Sequence, residues 1–341
     1  MFLRSVLLLS LLLCSLMSGI ASAQKEIKEL KLALDWAYQG NHAFFTLAED
    51  NGHFAKESLK VKIDRGFGSG DTIAKVAAGT YEFGYADLNL LVPFNAKNPA
   101  NKVICVMVLI DGSLNAIVAK NAAGIRRPKD LEGKRIAAPV ADNSRVLFPI
   151  FAKANGVDES KINWLSVQPN VRDTMLIRGE ADAVASVYTT TVLALEAQGV
   201  ARNDLTVLRY SELGADLYGF GIIVSEKMLA SSPDVVKGFL SALTRGTRDA
   251  LGDMKLGVAS VKKRDGLLSD STELARLEML RGLSILTPSV LANGLGYVDP
   301  ARMTRTLGFV AQSMAVTPVP AVRDIYRGEF LPPASERMIR Q

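Results

Sequence analysis

The chain has 341 residues, of which 48% are hydrophobic and 22% are charged, with 27 Gly and 13 Pro. This composition excludes a disordered or fibrous chain, and the length corresponds to about two domains. The formal charge of +5 comes from 40 basic and 35 acidic residues, and because the basic residues form no block or stripe we expect no nucleic-acid partner.

The first 23 residues predict a secretory signal sequence. Arg4 precedes an apolar run from Val6 to Ile20, and Ala21-Ser22-Ala23 forms a small-residue cleavage site before Gln24. As a helix the apolar run would extend only ~22 Å, short of the roughly 30 Å hydrocarbon core of a bilayer. We expect cleavage after Ala23, export, and no membrane span in the mature chain; a retained N-terminal anchor is the alternative.

Cys105 would be the only cysteine of the mature chain, since Cys14 lies within the predicted signal sequence. Cys105 belongs to a continuous apolar run, 103–110, that is typical of a buried strand. We therefore expect it to pack in the core as an unreactive thiol, and we expect no internal disulfide.

Strand-like apolar runs alternate with helical patterns along the chain, which indicates an α/β protein. From residue 233 onward the pattern is mainly helical, and we find no internal repeat. The predicted strands lie at 30–35, 59–64, 82–86, 103–110, 116–119, 135–138, 163–167 and 183–187, and the predicted helices of the first part lie at 41–51 and 72–78.

Two glycine-containing segments are candidates for crossings between two lobes. Asp111-Gly112-Ser113 follows a buried strand, and Tyr218-Gly219-Phe220-Gly221 precedes the apolar residues 222–224. Glycines beside strand ends can absorb the backbone rotation that closes two lobes on a ligand. We interpret the pair as a two-segment hinge; two ordinary turns are the alternative.

Motifs for metal and cofactor chemistry are missing from the sequence. The mature chain would contain only two histidines, His42 and His53, and no Cys-x-x-Cys, so a zinc site of the usual His/Cys type is not expected. The glycine-rich stretch 66–71 matches neither G-x-G-x-x-G nor G-x-S-x-G. We predict no metal, no cofactor and no enzymatic activity.

The first strand is followed by a cluster of aromatic and polar residues. In open α/β sheets ligands bind beyond the carboxyl ends of strands, so these residues are candidates for a binding site. The candidates of this stretch are Asp35, Trp36, Tyr38, Asn41 and His42. A flat heteroaromatic ligand could stack on Trp36 or Tyr38 while Asn41 reads its edge; the alternatives are Trp36 as core and Asn41 as a helix cap.

Further candidates follow later strands. Ser69, Gly70 and Asp71 precede a predicted helix, whose free N–H groups could bind a ligand oxygen, although Asp71 could also be only the N-cap. The remaining candidates are Asp87, Asp142, Asn143, Ser144, Arg145, Tyr188 and Tyr218. Arg145 would pair with a carboxylate or sulfonate if it faced a cleft, and Tyr188 could supply an opposing aromatic wall.

Taken together and in this order, these stretches resemble the solute-binding proteins of bacterial ABC importers. The group in question takes up thiamine-pyrimidine precursors, taurine, alkanesulfonates and nitrate, and the resemblance covers nearly the whole mature chain. The motifs that carry it are Leu32-Ala-Leu-Asp-Trp36 with Asn41-His42, Ala48-Glu-Asp-Asn-Gly-His-Phe54, Gly68-Ser-Gly-Asp71, Val76-Ala-Ala-Gly79 with Phe83-Gly84, and Pro128-Lys-Asp-Leu-Glu-Gly-Lys134.

The resemblance implies a two-lobed type II periplasmic-binding fold, in which two mixed-sheet α/β lobes close on one small molecule. Residues 24–112 and 220–341 would form lobe 1, and residues 113–219 would form lobe 2. It also implies a monomer in the periplasm that delivers its ligand to an ABC permease in the inner membrane.

Within this group, Asp-Trp followed by Asn-His is similar to the branch that binds aminopyrimidine precursors of thiamine. The resemblance assigns Trp36 and Tyr188 to the two faces of the ring and Asn41 to its edge. Arg145 favours the alternative ligand, an aromatic carboxylate or a taurine-like sulfonate. Two other classes stay open: a pyrimidine synthase that uses His42, and a ligand-binding partner of a receptor.

Overall fold

The computed structural model describes residues 27–339, within which ten strands form two five-stranded sheets. The strands are Lys28–Ala33 (β1), Leu59–Asp64 (β2), Phe83–Asp87 (β3), Val103–Val108 (β4), Asn115–Lys120 (β5), Arg135–Ala138 (β6), Asn163–Ser166 (β7), Ala183–Val187 (β8), Leu205–Arg209 (β9) and Phe220–Ser225 (β10). The first sheet has the order β2-β1-β3-β10-β4 and the second the order β7-β6-β8-β5-β9. The predicted α/β class with two mixed sheets is confirmed.

Helices connect the strands and make up most of the chain after β10. The α-helices are Ala43–Asp50 (α1), His53–Lys56 (α2), Ser69–Ala77 (α3), Leu91–Lys97 (α4), Asn143–Val146 (α5), Phe148–Ala154 (α6), Arg172–Arg178 (α7), Tyr188–Ala197 (α8), Glu226–Ser231 (α9), Pro233–Gly252 (α10), Met254–Lys262 (α11), Asp270–Leu280 (α12), Pro288–Asn293 (α13), Pro300–Ser313 (α14) and Ala334–Arg337 (α15). A 3-10 turn, Gly40–His42, precedes α1, and a π-helical turn, Arg281–Ile285, follows α12.

The two sheets share one plan. In each sheet four strands run in the same direction, and the strand that enters after a crossing is inserted antiparallel among them: β10 between β3 and β4, and β5 between β8 and β9. Phe220 therefore pairs with Asp87, and Asn115 pairs with Val187. The first residues of β5 and β10 thus lie at the same edges as the carboxyl ends of the parallel strands.

Helices packed on the first sheet bury its outer face. Phe239 of α10 stacks on Phe83 of β3 with ring centroids 3.8 Å apart, and Phe54 of α2 lies 5.1 Å from Phe239. All three rings are at most 2% exposed. The helical last third of the sequence therefore returns to complete the layer over the first sheet, because its apolar faces need that sheet to cover them.

The structure corrects the bounds of two predicted elements and adds one strand that the sequence did not predict. The first strand ends at Ala33 rather than at residue 35, which leaves Asp35 in the following loop. The helix predicted from residue 72 begins at Ser69, with Gly68 as its N-cap at φ +122°, so Asp71 lies inside the first turn and is not the cap. Strand β9 was not predicted, because it is a short edge strand whose residues are mostly half-buried.

Other predictions concern buried groups and the membrane. Cys105 is fully buried in β4, which confirms the predicted packing in the core, and burial raises the pKa of its thiol to about 12. Between residues 27 and 339, every helix is too short or too polar to cross a bilayer. The predicted signal sequence, residues 1–23, lies outside the described residues.

Candidate functional site

The carboxyl-end edges of the two sheets face each other, and the segments that follow the strands meet across the space between them, here called the cleft. The Gly70 backbone N–H donates to the Ala141 carbonyl at 3.1 Å, and the Thr190 hydroxyl donates to Gln39 Oε1 at 3.1 Å. The guanidinium of Arg172 lies 5.0 Å from the ring centroid of Trp36. Each contact joins a segment of the first sheet to a segment of the second.

Asp87 is the hub of a buried polar network at the base of the cleft. Its Oδ1 accepts from the backbone N–H of Asn89 at 3.0 Å and from the Asn89 side chain at 2.7 Å. Its Oδ2 accepts from Asn115 Nδ2 at 3.1 Å and from Asn143 Nδ2 at 3.4 Å. β3 of the first sheet carries Asp87, whereas Asn115 lies in β5 of the second sheet and Asn143 begins α5, the helix after β6. This carboxyl group therefore joins the two sides of the cleft.

The network continues in the second sheet. Ser144 Oγ donates to Asn115 Oδ1 at 3.0 Å, and Asn143 Nδ2 donates to the same oxygen. The Tyr210 hydroxyl, itself fully buried, donates to the Ser144 carbonyl at 2.7 Å. Burial raises the pKa of Asp87 to about 6, against the opposing effect of these amide donors.

Trp36 and Arg172 form the wall of the cleft. Trp36 is partly exposed and lies outside the hydrophobic clusters, which does not support the core alternative. Arg172, the first residue of α7, is 2% exposed and donates to Asp173 Oδ1 at 2.9 Å and to the Thr191 hydroxyl at 2.8 Å. Its guanidinium covers one face of the Trp36 ring.

Asp142 is a second carboxylate partner of Arg172, in addition to Asp173. Arg172 Nη1 lies 3.4 Å from Asp142 Oδ2, and the Asp142 carboxyl is almost fully buried. Burial raises the pKa of Asp142, the charge of Arg172 opposes this, and the charge of Asp35 adds to the rise. Burial lowers the pKa of Arg172, but the charges of Asp173 and Asp142 outweigh this effect and raise that pKa overall.

His42 holds Asp35 in place. Nδ1 of the buried imidazole accepts from the Gln39 backbone N–H at 3.0 Å, and Nε2 lies 3.0 Å from Asp35 Oδ1. Because Nδ1 is an acceptor, the proton of the neutral ring belongs on Nε2 and is donated to the carboxylate. Both ring nitrogens are therefore engaged in positioning the loop that carries Trp36.

Asn41 offers a free acceptor inside the cleft. It lies in the 3-10 turn before α1, is 9% exposed, and does not cap that helix. Its Oδ1 is buried and has no hydrogen-bond partner among residues 27–339. Buried polar atoms are nearly always paired, so this oxygen is available to a donor, which a ligand or the neighbouring Tyr85 side chain can supply.

The glycine-rich stretch contributes backbone and a supporting hydroxyl. Ser69 is buried, and its Oγ accepts from the Asp87 backbone N–H at 3.1 Å. Gly70 contacts Ala141 across the cleft, whereas the Asp71 carboxylate turns to Lys75 one helical turn along, at 2.6 Å. Ser69 and Gly70 therefore lie with the other cleft residues, and Asp71 is engaged on the helix surface.

Four further predicted residues have their side chains engaged with other partners. Arg145 donates to the Ala138 carbonyl and to Ser166 Oγ, and its guanidinium lies 4.9 Å from the Trp164 ring. The Tyr38 hydroxyl donates to the Ile63 carbonyl at 2.7 Å. Tyr188 lies under the Arg209 guanidinium, and Tyr218 lies under that of Arg302. The aromatic contacts of the described residues do not include a Trp36–Tyr188 pair.

Sequence reasoning missed Asn115, Asn89 and Arg172. Asn115 begins a strand, and a search of strand carboxyl ends passes over it because only the antiparallel insertion of β5 brings it to that edge. Asn89 follows Asp87 by two residues and the same search could have included it. Arg172 looks like a solvated residue at a helix start, and its burial depends on contacts from Thr191 and Trp36.

The chain is similar to proteins that bind small molecules. The model of the family described as NMT1/THI5 like matches residues 39–254. The chain is 25% identical to the riboflavin-binding protein RibY of Chloroflexus aurantiacus over 92% of this chain and 89% of the relative. It is 24% identical to the formylaminopyrimidine-binding protein of Halalkalibacterium halodurans over 71% and 72%. Other relatives are named as 4-amino-5-hydroxymethyl-2-methylpyrimidine phosphate synthases.

Solved structures with the same fold include the periplasmic aliphatic sulphonate binding protein SsuA of Escherichia coli. The TM-score is 0.63 at 16% sequence identity, and the likeness covers 92% of each chain. Such a low identity shows the fold alone. The fold is the type II periplasmic-binding fold predicted from the sequence, with its two mixed α/β sheets.

Proposed function

Since this chain belongs to the NMT1/THI5-like family, we propose that it is the solute-binding component of an ABC importer. Its ligand is a small, flat nitrogen heteroaromatic compound, and the candidate we favour is an aminopyrimidine precursor of thiamine. Two similar proteins support this ligand class by name, because formylaminopyrimidine and riboflavin both contain flat nitrogen heterocycles.

The observation that carries the proposal is the surplus of hydrogen-bond acceptors in the cleft. Asp35 and Asp142 supply carboxylates, and the Asn41 oxygen has no partner. An aminopyrimidine brings amino N–H donors to such acceptors, and its ring can stack on Trp36. An anion placed at the same point would be repelled by the Asp35 carboxylate, and the Asp142 carboxylate already offsets part of the attraction of Arg172.

An aromatic carboxylate or a taurine-like sulfonate remains the second candidate, and Arg172 is the observation that favours it. A buried guanidinium can bind a carboxylate or sulfonate with two parallel hydrogen bonds. Arg172 is already bonded to Asp173 and lies beside Asp142. An anionic ligand would compete with both aspartates, which is why we place this candidate second.

We propose the same division of the molecule as the sequence predicts. Residues 24–112 and 220–341 form lobe 1, residues 113–219 form lobe 2, and the two crossings act as the hinge. The ligand binds between the lobes and stabilises their closed arrangement, because it binds the closed form more tightly than the open form. The permease recognises the closed form. We further propose a periplasmic monomer that is exported by its signal sequence.

A synthase is the enzymatic alternative, since some relatives carry that name. In a synthase His42 would be a reacting group. Here both of its ring nitrogens have partners that fix the Trp36 loop, so we propose a positioning role for His42 in a binding protein.

A ligand panel tests the proposal. The protein is unfolded and refolded to remove bound ligand, and its thermal unfolding is followed with hydroxymethyl- and formyl-aminopyrimidines, riboflavin, taurine, alkanesulfonates, nitrate and aromatic carboxylates. A ligand at ~100 times its dissociation constant adds roughly 2.7 kcal/mol to the free energy of unfolding. Stabilisation by aminopyrimidines supports the proposal, whereas stabilisation by anions alone rejects it in favour of the second candidate.

Arg145→Ala separates the two candidates further. Because the Arg145 guanidinium is engaged by Ser166 and Trp164, we expect the variant to bind an aminopyrimidine with unchanged affinity by calorimetry. A complete loss of aminopyrimidine binding would show that Arg145 turns into the cleft, and loss of binding of an anion that the wild type binds would favour the second candidate.

A further inference from the structure

A cavity of about 410 Å³ lies outside the cleft, and none of the cleft residues lines it. One side is formed by the carboxyl-terminal part of α10 with Arg245 and Arg248, and by His53 of α2. Arg281 lines it from the π-helical turn, and Leu251 and Leu286 give it an apolar wall. We call it the α10 cavity. Its volume is in the range of small-molecule sites.

The cavity has more positive than negative charge. Asp249, which also lines it, is shared by His53 Nε2 at 2.7 Å and Asn51 Nδ2 at 2.6 Å. Arg245 pairs with Glu57. Arg248 donates only to the Glu336 carbonyl, and the Arg281 side chain has no hydrogen bond or ion pair within residues 27–339. Two guanidinium groups at one cavity are therefore without a carboxylate partner in the described chain.

Buried polar atoms at the same cavity also have no partner. His53 is 9% exposed, and with Nε2 engaged by Asp249 its Nδ1 has no partner among the described residues. The buried Nε of Arg245 is also without one. Buried nitrogen groups are nearly always hydrogen-bonded, and Arg245 Nε can only donate, so its unsatisfied state indicates that an acceptor is missing from the cavity. His53 Nδ1 is an acceptor in the neutral ring, because Nε2 donates to Asp249.

We infer that the α10 cavity is a second ligand site, one that binds a small organic oxyanion with an apolar body. Guanidinium groups match the two oxygens of a carboxylate or a phosphate with parallel hydrogen bonds, and Leu251 and Leu286 cover the apolar part. Arg281 begins a π-helical turn, and such turns occur frequently at functional sites. This site is independent of the ligand proposed for the cleft.

Calorimetric titration of the full chain tests the inference with three probes: phenyl phosphate, benzoate and inorganic phosphate. We expect phenyl phosphate or benzoate to bind, and the double variant Arg248→Ala with Arg281→Ala to bind it at least tenfold more weakly. The double variant Arg248→Lys with Arg281→Lys keeps the charge but loses the paired hydrogen bonds. Its affinity for the anion should therefore lie between that of wild type and that of the double alanine variant.

Two controls place the anion. Arg305→Ala removes one positive charge from an exposed position of α14 and should leave affinity unchanged. Trp36→Ala alters the cleft and should also leave anion affinity unchanged. The inference is overturned if neither organic anion binds, if inorganic phosphate binds as tightly as they do, if Arg305→Ala weakens binding as much as the double variant, or if Trp36→Ala is the variant that abolishes binding.

Discussion

Trp36 is the residue at which ligand binding and folding can be separated. It is partly exposed and belongs to no hydrophobic cluster. We expect Trp36→Ala to weaken ligand binding by about 1 to 3 kcal/mol through lost stacking, and to change the melting temperature of the ligand-free protein little. Calorimetry and thermal unfolding measure the two effects.

The other tryptophan supplies the control for that experiment. Trp164 makes an edge contact with Phe148 at 5.2 Å between ring centroids and lies under Arg145. Trp164→Ala should therefore lower the melting temperature and leave ligand affinity nearly unchanged. If Trp36→Ala instead caused the larger loss of melting temperature, Trp36 would be a core residue and its assignment to the ligand would fail.

Asp87 makes the stability of the protein depend on pH. Burial raises its pKa from 3.8 to about 6, so at pH 7 the folded protein holds a buried charge that the unfolded chain exposes to water. As the pH falls through 6 the folded state takes up a proton that the unfolded state does not bind, and stability rises. The contribution of Asp87 to the free energy of unfolding should increase by about 1 kcal/mol from pH 7 to pH 5.

Urea denaturation of wild type and Asp87→Asn at the two pH values measures this contribution. The free energy of unfolding of wild type should rise on acidification relative to that of Asp87→Asn. The other carboxylates titrate in both proteins, so their effects cancel in this difference. Asp234→Asn, at an exposed helix position, should show no such difference. A constant gap between wild type and Asp87→Asn at both pH values would mean that Asp87 does not titrate in this range.

At the scale of elements, α12 holds the two sides of the cleft together. Glu273 Oε2 accepts from the Gly40 backbone N–H at 2.6 Å, and Arg276 Nη1 donates to the Thr189 carbonyl at 2.6 Å. The two side chains pair with each other at 2.9 Å and are 4% and 3% exposed. This buried pair therefore joins the turn that follows Trp36 to the start of α8, which carries Tyr188.

Removing one member of the pair should cost more than removing both. Arg276→Met leaves the Glu273 carboxylate buried without a counter-charge, and we expect a loss of roughly 3 to 5 kcal/mol in the free energy of unfolding. The double variant Glu273→Gln with Arg276→Met removes both charges and should recover part of that loss. Equilibrium denaturation measures all three proteins; equal costs for the single and double variants would show that the charges are not coupled.

At the scale of the whole molecule, we expect the proposed closure of the cleft to depend on Gly68. Its φ of +122° is a conformation that side chains rarely adopt, and a Cβ there would lie 2.5 Å from the Ala141 carbonyl oxygen across the cleft. Gly68→Ala should hold the sheets apart and weaken ligand binding roughly tenfold or more, in line with ~1 to 3 kcal/mol of backbone strain. Calorimetry and small-angle scattering with saturating ligand test this.

Gly79→Ala is the matched control. Gly79 also has a positive φ, +72°, but a Cβ there would meet nothing within 4 Å. The substitution should cost stability through the backbone alone and leave ligand affinity and the ligand-induced compaction unchanged. If Gly68→Ala closed on ligand as fully as this control, the contact with Ala141 would not limit closure.

Local pattern in the sequence determined most of the elements. The predicted ranges 59–64, 135–138 and 183–187 coincide with β2, β6 and β8, because alternation and continuous apolar runs report directly on which residues are buried. The same reasoning identified Asp87, Asp142, Asn143 and Trp36, since polar and aromatic residues that follow buried strands lie at the edge where those strands end. Their residue types also pointed to a small ligand and not to a metal.

Only the tertiary structure decided how the two sheets combine and which side chains face each other. The insertion of β5 and β10 brings Asn115 beside Asp87, and the last helices bring Glu273 to Gly40, 233 positions away in the sequence. The same packing buries Arg172 against Trp36 and draws Arg145 towards Trp164. A local pattern encodes which face of an element is buried, but it carries no information about what covers that face, because the partners are distant in the chain.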